Sequence, residues 1–205
     1  MKRARLFYWL IAIVVCAMAI GAGFYFDEPA RAFIARHQTR TLKVFMRNVS
    51  RLGDWTEHFA IGAGLLGIAW WRGNKKWTRI FLSMLIALAL AGAAARIVKI
   101  AAGRARPSLQ SEQVWNGVKF SSRYHAFPSG HMAASSAFFA VLAFASWRIG
   151  LACVPIPLLL GFARMYVAAH YLSDIICAAI LGIVCALVVM RFAGTEMRDP
   201  QSNGR

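Results

Sequence analysis

Three short polar clusters interrupt an otherwise apolar chain: Lys99 with Arg106-Pro107, then Pro128-Ser129-Gly130-His131, then Arg164, His170 and Asp174. Three cations, two histidines and one carboxylate focused on one point would hold a phosphate group. Pro128 fits the first turn of a helix. Ser129, Gly130 and His131 would then offer free backbone N–H groups at the positive end of a helix dipole, with Gly130 letting the backbone approach an anion. His170 and Asp174 are four residues apart, one above the other if both lie on a helix. The carboxylate could then take the proton of one ring nitrogen and leave the other facing substrate, as a nucleophile or a base. Lys99, Arg106 and Arg164 would neutralise the charge that spreads over the equatorial oxygens of phosphorus in a transition state.

Membrane helices are the elements that must position these clusters. Of 205 residues, 59% are hydrophobic, against about 45–50% in soluble domains. Apolar runs cover about 6–26, 55–71, 80–98, 129–147, 151–169 and 171–190. At about 20 residues per crossing they fill one compact membrane domain. The expected fold class is therefore all-α: an integral membrane bundle of about six transmembrane helices, with an interfacial amphipathic helix between the first two. Residues 1–193 form the single domain, and 194–205 read as a disordered polar tail. In this topology all three polar clusters reach the same membrane face. The interfacial helix begins at Pro29 and sets Arg36, Arg40, Lys43, Arg47 and Arg51 within about an 80° arc, opposite Ile34, Leu42, Phe45, Val49 and Leu52. Such a helix would lie among lipid phosphates or pack a solvated charged face on the bundle.

The balance of 24 Lys and Arg against 8 Asp and Glu, a formal charge of +16, follows the ends of apolar runs. It therefore points to anionic headgroups and phosphate-bearing substrates rather than nucleic acid. Lys2, Arg3 and Arg5 precede a run of about 21 apolar residues, longer than the 7–15 of a signal-peptide core, so the first helix is expected to be retained. The short clusters Lys2-Arg3-Arg5 and Arg72-Lys75-Lys76-Arg79 place both termini in the cytoplasm. Cys16, Cys153, Cys177 and Cys185 lie inside apolar runs without CxxC spacing, as small buried residues rather than disulfides or zinc ligands.

The order Lys-x6-Arg-Pro, Pro-Ser-Gly-His, Arg-x5-His-x3-Asp resembles the type 2 phosphatidic acid phosphatase (PAP2) superfamily over about residues 96–178. The resemblance implies that His170 attacks phosphorus to form a phosphohistidine while Asp174 holds its ring. His131 would protonate the leaving oxygen and then activate water, and Lys99, Arg106, Ser129, Gly130 and Arg164 would hold the phosphoryl oxygens. It implies no metal or other cofactor, consistent with the lack of a carboxylate cluster in the sequence, and a site facing the periplasm or exterior of a bacterial inner membrane. Ala163 stands where the family's third motif usually begins with Ser. The implied substrate is a lipid phosphate: undecaprenyl pyrophosphate, phosphatidylglycerophosphate, phosphatidic acid or lipid A 1-phosphate. The alternatives are a lipid phosphotransferase using the same phosphohistidine, and a non-catalytic protein that binds or transports anionic lipid. Among the remaining polar residues, Arg96 extends the basic patch one turn before Lys99. Arg104, Lys119 and Arg123 lie in a loop that would roof the site and could touch a second phosphate or headgroup. His37, His58 and His125 are expected at the interface.

Overall fold

The computed structural model describes residues 2–196, and all regular structure in them is helical. The helices are α1 (Lys2–Tyr25), α2 (Asp27–His37), α3 (Arg40–Leu52), α4 (Trp55–Trp71), α5 (Lys75–Ala102), α6 (Gly130–Ala145), α7 (Trp147–Cys153), α8 (Pro155–Tyr166) and α9 (Leu172–Glu196). Two 3-10 turns, Pro107–Leu109 and Ser122–Tyr124, lie in the loop between α5 and α6. Four segments are long and apolar enough to cross a membrane: Leu6–Tyr25, Lys75–Ala102, Trp147–Tyr166 and Leu172–Ala193. The other two expected spans are shorter: α4 has 17 residues and α6 has 16. Residues 197–205 of the expected polar tail lie outside the described residues.

α6 is the centre of the bundle. Its Ala133, Ala137 and Val141 are fully covered, and they pack with Met84, Ala87 and Ala91 of α5 and with Ala178 and Ala186 of α9 in one apolar core. Small side chains suit this role, because in lipid the gain comes from close backbone approach rather than from hiding apolar surface from water. A Cβ on Gly182 of α9 would stand 2.4 Å from the Ala133 carbonyl oxygen, so that crossing requires glycine. The apolar side chains of α1 face outward: Leu6, Phe7, Val14 and Val15 are more than half exposed, as a lipid-facing helix requires.

Two expectations change here. The interfacial segment is two helices rather than one. The break falls at Gln38 and Thr39, where both residues are extended and the Thr39 hydroxyl caps α3 by accepting from the Leu42 N–H at 3.3 Å. Gln38 holds the corner, donating to the Tyr166 carbonyl of α8 at 2.5 Å and accepting from Lys43 Nζ at 3.0 Å. α3 then buries Met46 and Ser50 toward α8, while Leu42, Phe45 and Leu52 stay exposed beside Arg40, Arg47 and Arg51. The fifth span is also shifted, running over Trp147–Tyr166 with a joint at Val154-Pro155. Residues 167–171 are released into the turn that carries His170.

The loop between α5 and α6 folds back on itself. Gly103 ends α5 with φ +53, and a Cβ there would meet the Gly117 carbonyl oxygen at 1.7 Å, so only glycine fits. From this turn the chain is fixed by Ala105 N–H to Val114 O at 2.8 Å, Arg106 N–H to Arg123 O at 3.0 Å and Ala126 N–H to Arg104 O at 3.0 Å.

Candidate active site

The ends of α5, α6, α8 and α9 bring the expected residues to one end of the bundle. Lys99 lies in the last turn of α5, and its ammonium rests on the backbone of α6: a Cβ on Gly130 would be 2.8 Å from Lys99 Nζ. Lys99 is within electrostatic reach of Arg106, Arg164 and Asp174, and His131 within reach of Arg164, His170 and Lys99. All eight residues marked in the sequence are thus in one neighbourhood.

The start of α6 differs in detail from expectation. Pro128 precedes the helix, Ser129 is its cap, and Gly130 is the first helical residue. The Ser129 N–H is not free for an anion, because it donates to the Asp174 carbonyl at 3.2 Å. Its Oγ is fully buried and without a hydrogen-bond partner. The open donors here are therefore the Gly130 and His131 N–H groups, at the positive end of the helix, together with the Ser129 hydroxyl.

His170 is not on the same helix as Asp174. It sits in the turn before α9, two residues after Ala168, whose φ of +54 is unusual for a residue with a side chain. Its Nδ1 lies 2.6 Å from the Ala126 carbonyl and 3.6 Å from Asp174 Oδ2. A carbonyl can only accept, so Nδ1 carries the proton. On the other side of the ring, Nε2 is 3.4 Å from a terminal nitrogen of Arg164, which can only donate. Both neighbours select the same tautomer, with the Nε2 lone pair facing the Arg164 guanidinium. Burial pushes this imidazole down to about 4, with the opposing Asp174 charge and hydrogen-bonding influence too weak to restore it, so the ring is neutral at physiological pH.

Asp174 holds the surrounding backbone rather than the ring alone. Its Oδ2 accepts from the Tyr171 N–H at 2.7 Å, and its Oδ1 accepts from Arg104 at 2.5 Å. Arg104 also donates to Ser173 Oγ at 2.7 Å and to Asp27 Oδ2 at 2.6 Å, while Asp27 accepts from the Ser173 N–H at 2.7 Å. The guanidinium is 4% exposed and lies over three aromatic rings, Tyr171 at 4.2 Å, Trp115 at 4.8 Å and Phe24 at 5.5 Å. Arg104 therefore does not reach for a headgroup; it is a buried clamp beneath the site. Asp27, Ser173 and the Ala126 carbonyl have no spacing signal in the sequence. The one available hint was scarcity: with 8 acids against 24 Lys and Arg, any acid that becomes buried has to find a cation.

Two more partners emerge only in three dimensions. Arg164 donates to Ser50 Oγ of α3 at 2.8 Å, and His131 Nε2 lies 3.5 Å from Asp54 Oδ1, at the cap of α4. Ala163 is fully buried in the apolar contact among α2, α3 and α8, with Ile34, Met46 and Tyr166. Its methyl group therefore belongs to packing, and the hydroxyl beside Arg164 comes from Ser50. His58 and His125 are buried rather than interfacial, paired with the carbonyls of Asp54 at 2.8 Å and Lys119 at 2.9 Å. His37 is exposed, as expected, and its ring meets the Phe33 carbonyl.

A cavity of about 520 Å³ opens from this cluster between α4, α5 and α6. Lys99, Gly130 and His131 stand at its polar end, and Trp55, Phe59, Leu88 and Ala134 form an apolar wall.

The model of the PAP2 superfamily matches residues 80–198. A lipid A 1-phosphatase of Rhizobium johnstonii is 34% identical over 102 residues, 48% of this chain and 42% of that protein. A protein of the same description from Rhizobium etli is 33% identical over 115 residues, 55% and 46% of the two chains. The match thus spans less than half the length of these curated relatives. Among solved structures, a transmembrane PAP2 type phosphatidylglycerolphosphate phosphatase from Bacillus subtilis superposes with a TM-score of 0.68 at 18% identity, covering 98% of this chain and 100% of that one. Aquifex aeolicus LpxE superposes at 0.58 with 20% identity, covering 80% and 94%. At these identities the two structures speak for the fold.

Proposed function

The chain belongs to the PAP2 superfamily, and from that membership and the state of His170 we propose that it is a membrane lipid phosphatase working through a phosphohistidine. The observation that carries the reading is the His170 tautomer: Nδ1–H is held by the Ala126 carbonyl, and the Nε2 lone pair is turned toward Arg164. A neutral imidazole with its lone pair aimed into a ring of cations is poised to attack a phosphate anion.

In this mechanism Lys99, Arg106, Arg164, the Ser129 hydroxyl and the Gly130 N–H bind the phosphoryl oxygens and spread their charge. The bound phosphate anion offsets the surrounding cations and, with Asp54, lets His131 take up a proton. The Nε2 lone pair of His170 then forms a bond to phosphorus as the bond to the lipid oxygen breaks, and His131 gives that oxygen this proton. Water then gives a proton to His131 and adds to phosphorus, the N–P bond breaks, and orthophosphate leaves. Asp174 stabilises the positive ring of the intermediate by its charge, and Asp54 steadies His131. The lipid tails rest on the apolar wall of the cavity, which opens beside the reacting group, so the substrate need not leave the membrane.

The substrate class is a lipid phosphate, with lipid A 1-phosphate, phosphatidylglycerophosphate, phosphatidic acid and undecaprenyl pyrophosphate as candidates. On this reading the site faces the periplasm or exterior of a bacterial inner membrane. The test is phosphate release by the purified protein from these lipids in detergent with EDTA present. We expect turnover on at least one of them and none in His170→Ala. Activity that EDTA abolishes, or that His170→Ala keeps, overturns the reading.

A further inference from the structure

In an in-line displacement the leaving group departs opposite the nucleophile. His170 and Arg164 do not line the cavity between α4, α5 and α6, whereas His131, which would protonate the leaving oxygen, does. The cavity therefore lies on the leaving-group side. One cation on its wall has no task in the reaction described above. Arg96 stands one turn before Lys99 on α5, about 5–6 Å away between Cβ atoms, and is exposed along the cavity wall. The acid lining the same cavity, Asp54, is turned to His131, and among the described residues no carboxylate pairs with Arg96.

A cation on an apolar wall is costly to keep there. It offers nothing to a leaving group that departs as a neutral alcohol, such as a diacylglycerol. It offers a charge-assisted contact to a leaving group that keeps a phosphate of its own. We propose that Arg96 is a subsite for a second phosphate on the leaving group, so that the enzyme prefers lipid phosphates whose leaving group carries an anionic phosphate close to the cleaved bond. This rests on the hydrolase reading of the same site. Two sources share the chemistry. In a lipid diphosphate, the bond from the terminal phosphorus to the bridging oxygen breaks and a lipid monophosphate departs. In a phospholipid with a terminal phosphomonoester, the departing glycerol carries the internal phosphodiester. In both, His170 takes the terminal phosphoryl group, water later releases it as orthophosphate, and Arg96 holds the charge that stays with the lipid.

The test compares matched lipids in mixed micelles with the full-length chain: farnesyl monophosphate against farnesyl diphosphate, and phosphatidic acid against phosphatidylglycerophosphate with the same acyl chains. Arg96→Gln should lower kcat/KM for the diphosphate and for phosphatidylglycerophosphate by about ten-fold or more, the scale of one lost charge-assisted hydrogen bond. The other two lipids should stay within about two-fold, and Arg96→Lys should recover most of the loss. A loss confined to one of the doubly charged lipids identifies which source the subsite serves. An equal loss on all four makes Arg96 a membrane anchor, and no loss makes it a bystander; either overturns the proposal. If the wild type hydrolyses none of the four, the hydrolase reading fails separately. The subsite is then judged by binding of a farnesyl methylenebisphosphonate against a farnesyl monophosphonate. Arg96→Gln must weaken only the former, or the proposal falls.

Discussion

Replacing Arg104 with Gln should damage both stability and turnover, because the guanidinium holds two buried acids at once. Asp174 is fully covered and Asp27 is 8% exposed; Arg104 bonds to both, and to Ser173 between them. Gln keeps part of the volume but brings no charge, leaving two carboxylates facing each other in an apolar shell of Phe24, Trp115 and Tyr171. Breaking a buried ion pair by removing one partner costs about 3–5 kcal/mol. At about 2–4 °C per kcal/mol for a chain of this size, the midpoint of thermal unfolding in detergent should fall by roughly 6–20 °C. Without Arg104, the Asp174 carboxylate keeps only the Tyr171 N–H as its hydrogen-bond partner among the described residues, so it is held less firmly beside the imidazole that is to be phosphorylated. kcat should then drop about 10–100-fold, the scale seen when a partner behind a functional group is removed, with KM little changed because Arg104 touches no phosphate. The assay is thermal unfolding followed by tryptophan fluorescence, alongside lipid phosphate hydrolysis. Asp27→Asn supplies the internal control: added to Arg104→Gln it removes one stranded carboxylate and should restore part of the stability, a coupling of about 0.5–3 kcal/mol. If Arg104→Gln melts within about 2 °C of wild type, or if Asp27→Asn deepens its loss, the clamp does not bear on stability and Arg104 must be assigned another role.

Four further outcomes are expected. His170 should stay neutral through physiological pH: because burial lowers it from 6.5 to about 4, the unfolded chain takes up a proton that the folded chain refuses, and stability should fall as pH drops through that window; imidazole nitrogen NMR showing a midpoint near 6.5 would contradict this. Gly130→Ala places a methyl 2.8 Å from Lys99 Nζ, so the ammonium must move and KM for a lipid phosphate should rise about ten-fold, the worth of one weakened charged hydrogen bond; an unchanged KM would remove Lys99 from the phosphate cradle. His131→Ala should slow turnover of ordinary substrates about 10²–10⁴-fold, yet with an activated leaving group it should still accumulate an acid-labile, base-stable phosphohistidine at residue 170, detected by labelling with phosphorus-32. A cysteine placed at Lys119, in a background without the four native cysteines, should react with an impermeant maleimide in intact spheroplasts; reaction only after lysis would reverse the orientation.

The sequence by itself determined the helical membrane class of the protein and marked the polar residues that gather at one end of the bundle. The apolar runs admit only helices, since a backbone in lipid must satisfy its own hydrogen bonds. Because successive runs cross in opposite directions, the three clusters fall at run ends on one and the same face, so topology brings Lys99, Arg106, His131, Arg164 and His170 to one side of the membrane. Local spacing also carried the family resemblance, because such motifs are defined along the chain. What it could not decide was pairing across the chain. His170 and Asp174 look like helix neighbours, but α9 begins only at Leu172, so the ring turns to the Ala126 carbonyl 44 residues away. Arg104 looks like a loop cation, yet it is buried against Asp27, 77 residues away, because the α5–α6 loop folds under its own backbone bonds. Ala163 looks like a lost hydroxyl, and only the packing of α3 on α8 reveals Ser50 beside Arg164. A buried charge or ring nitrogen takes whichever complementary group the fold brings within about 3 Å, and that choice depends on how helices pack rather than on how residues are spaced.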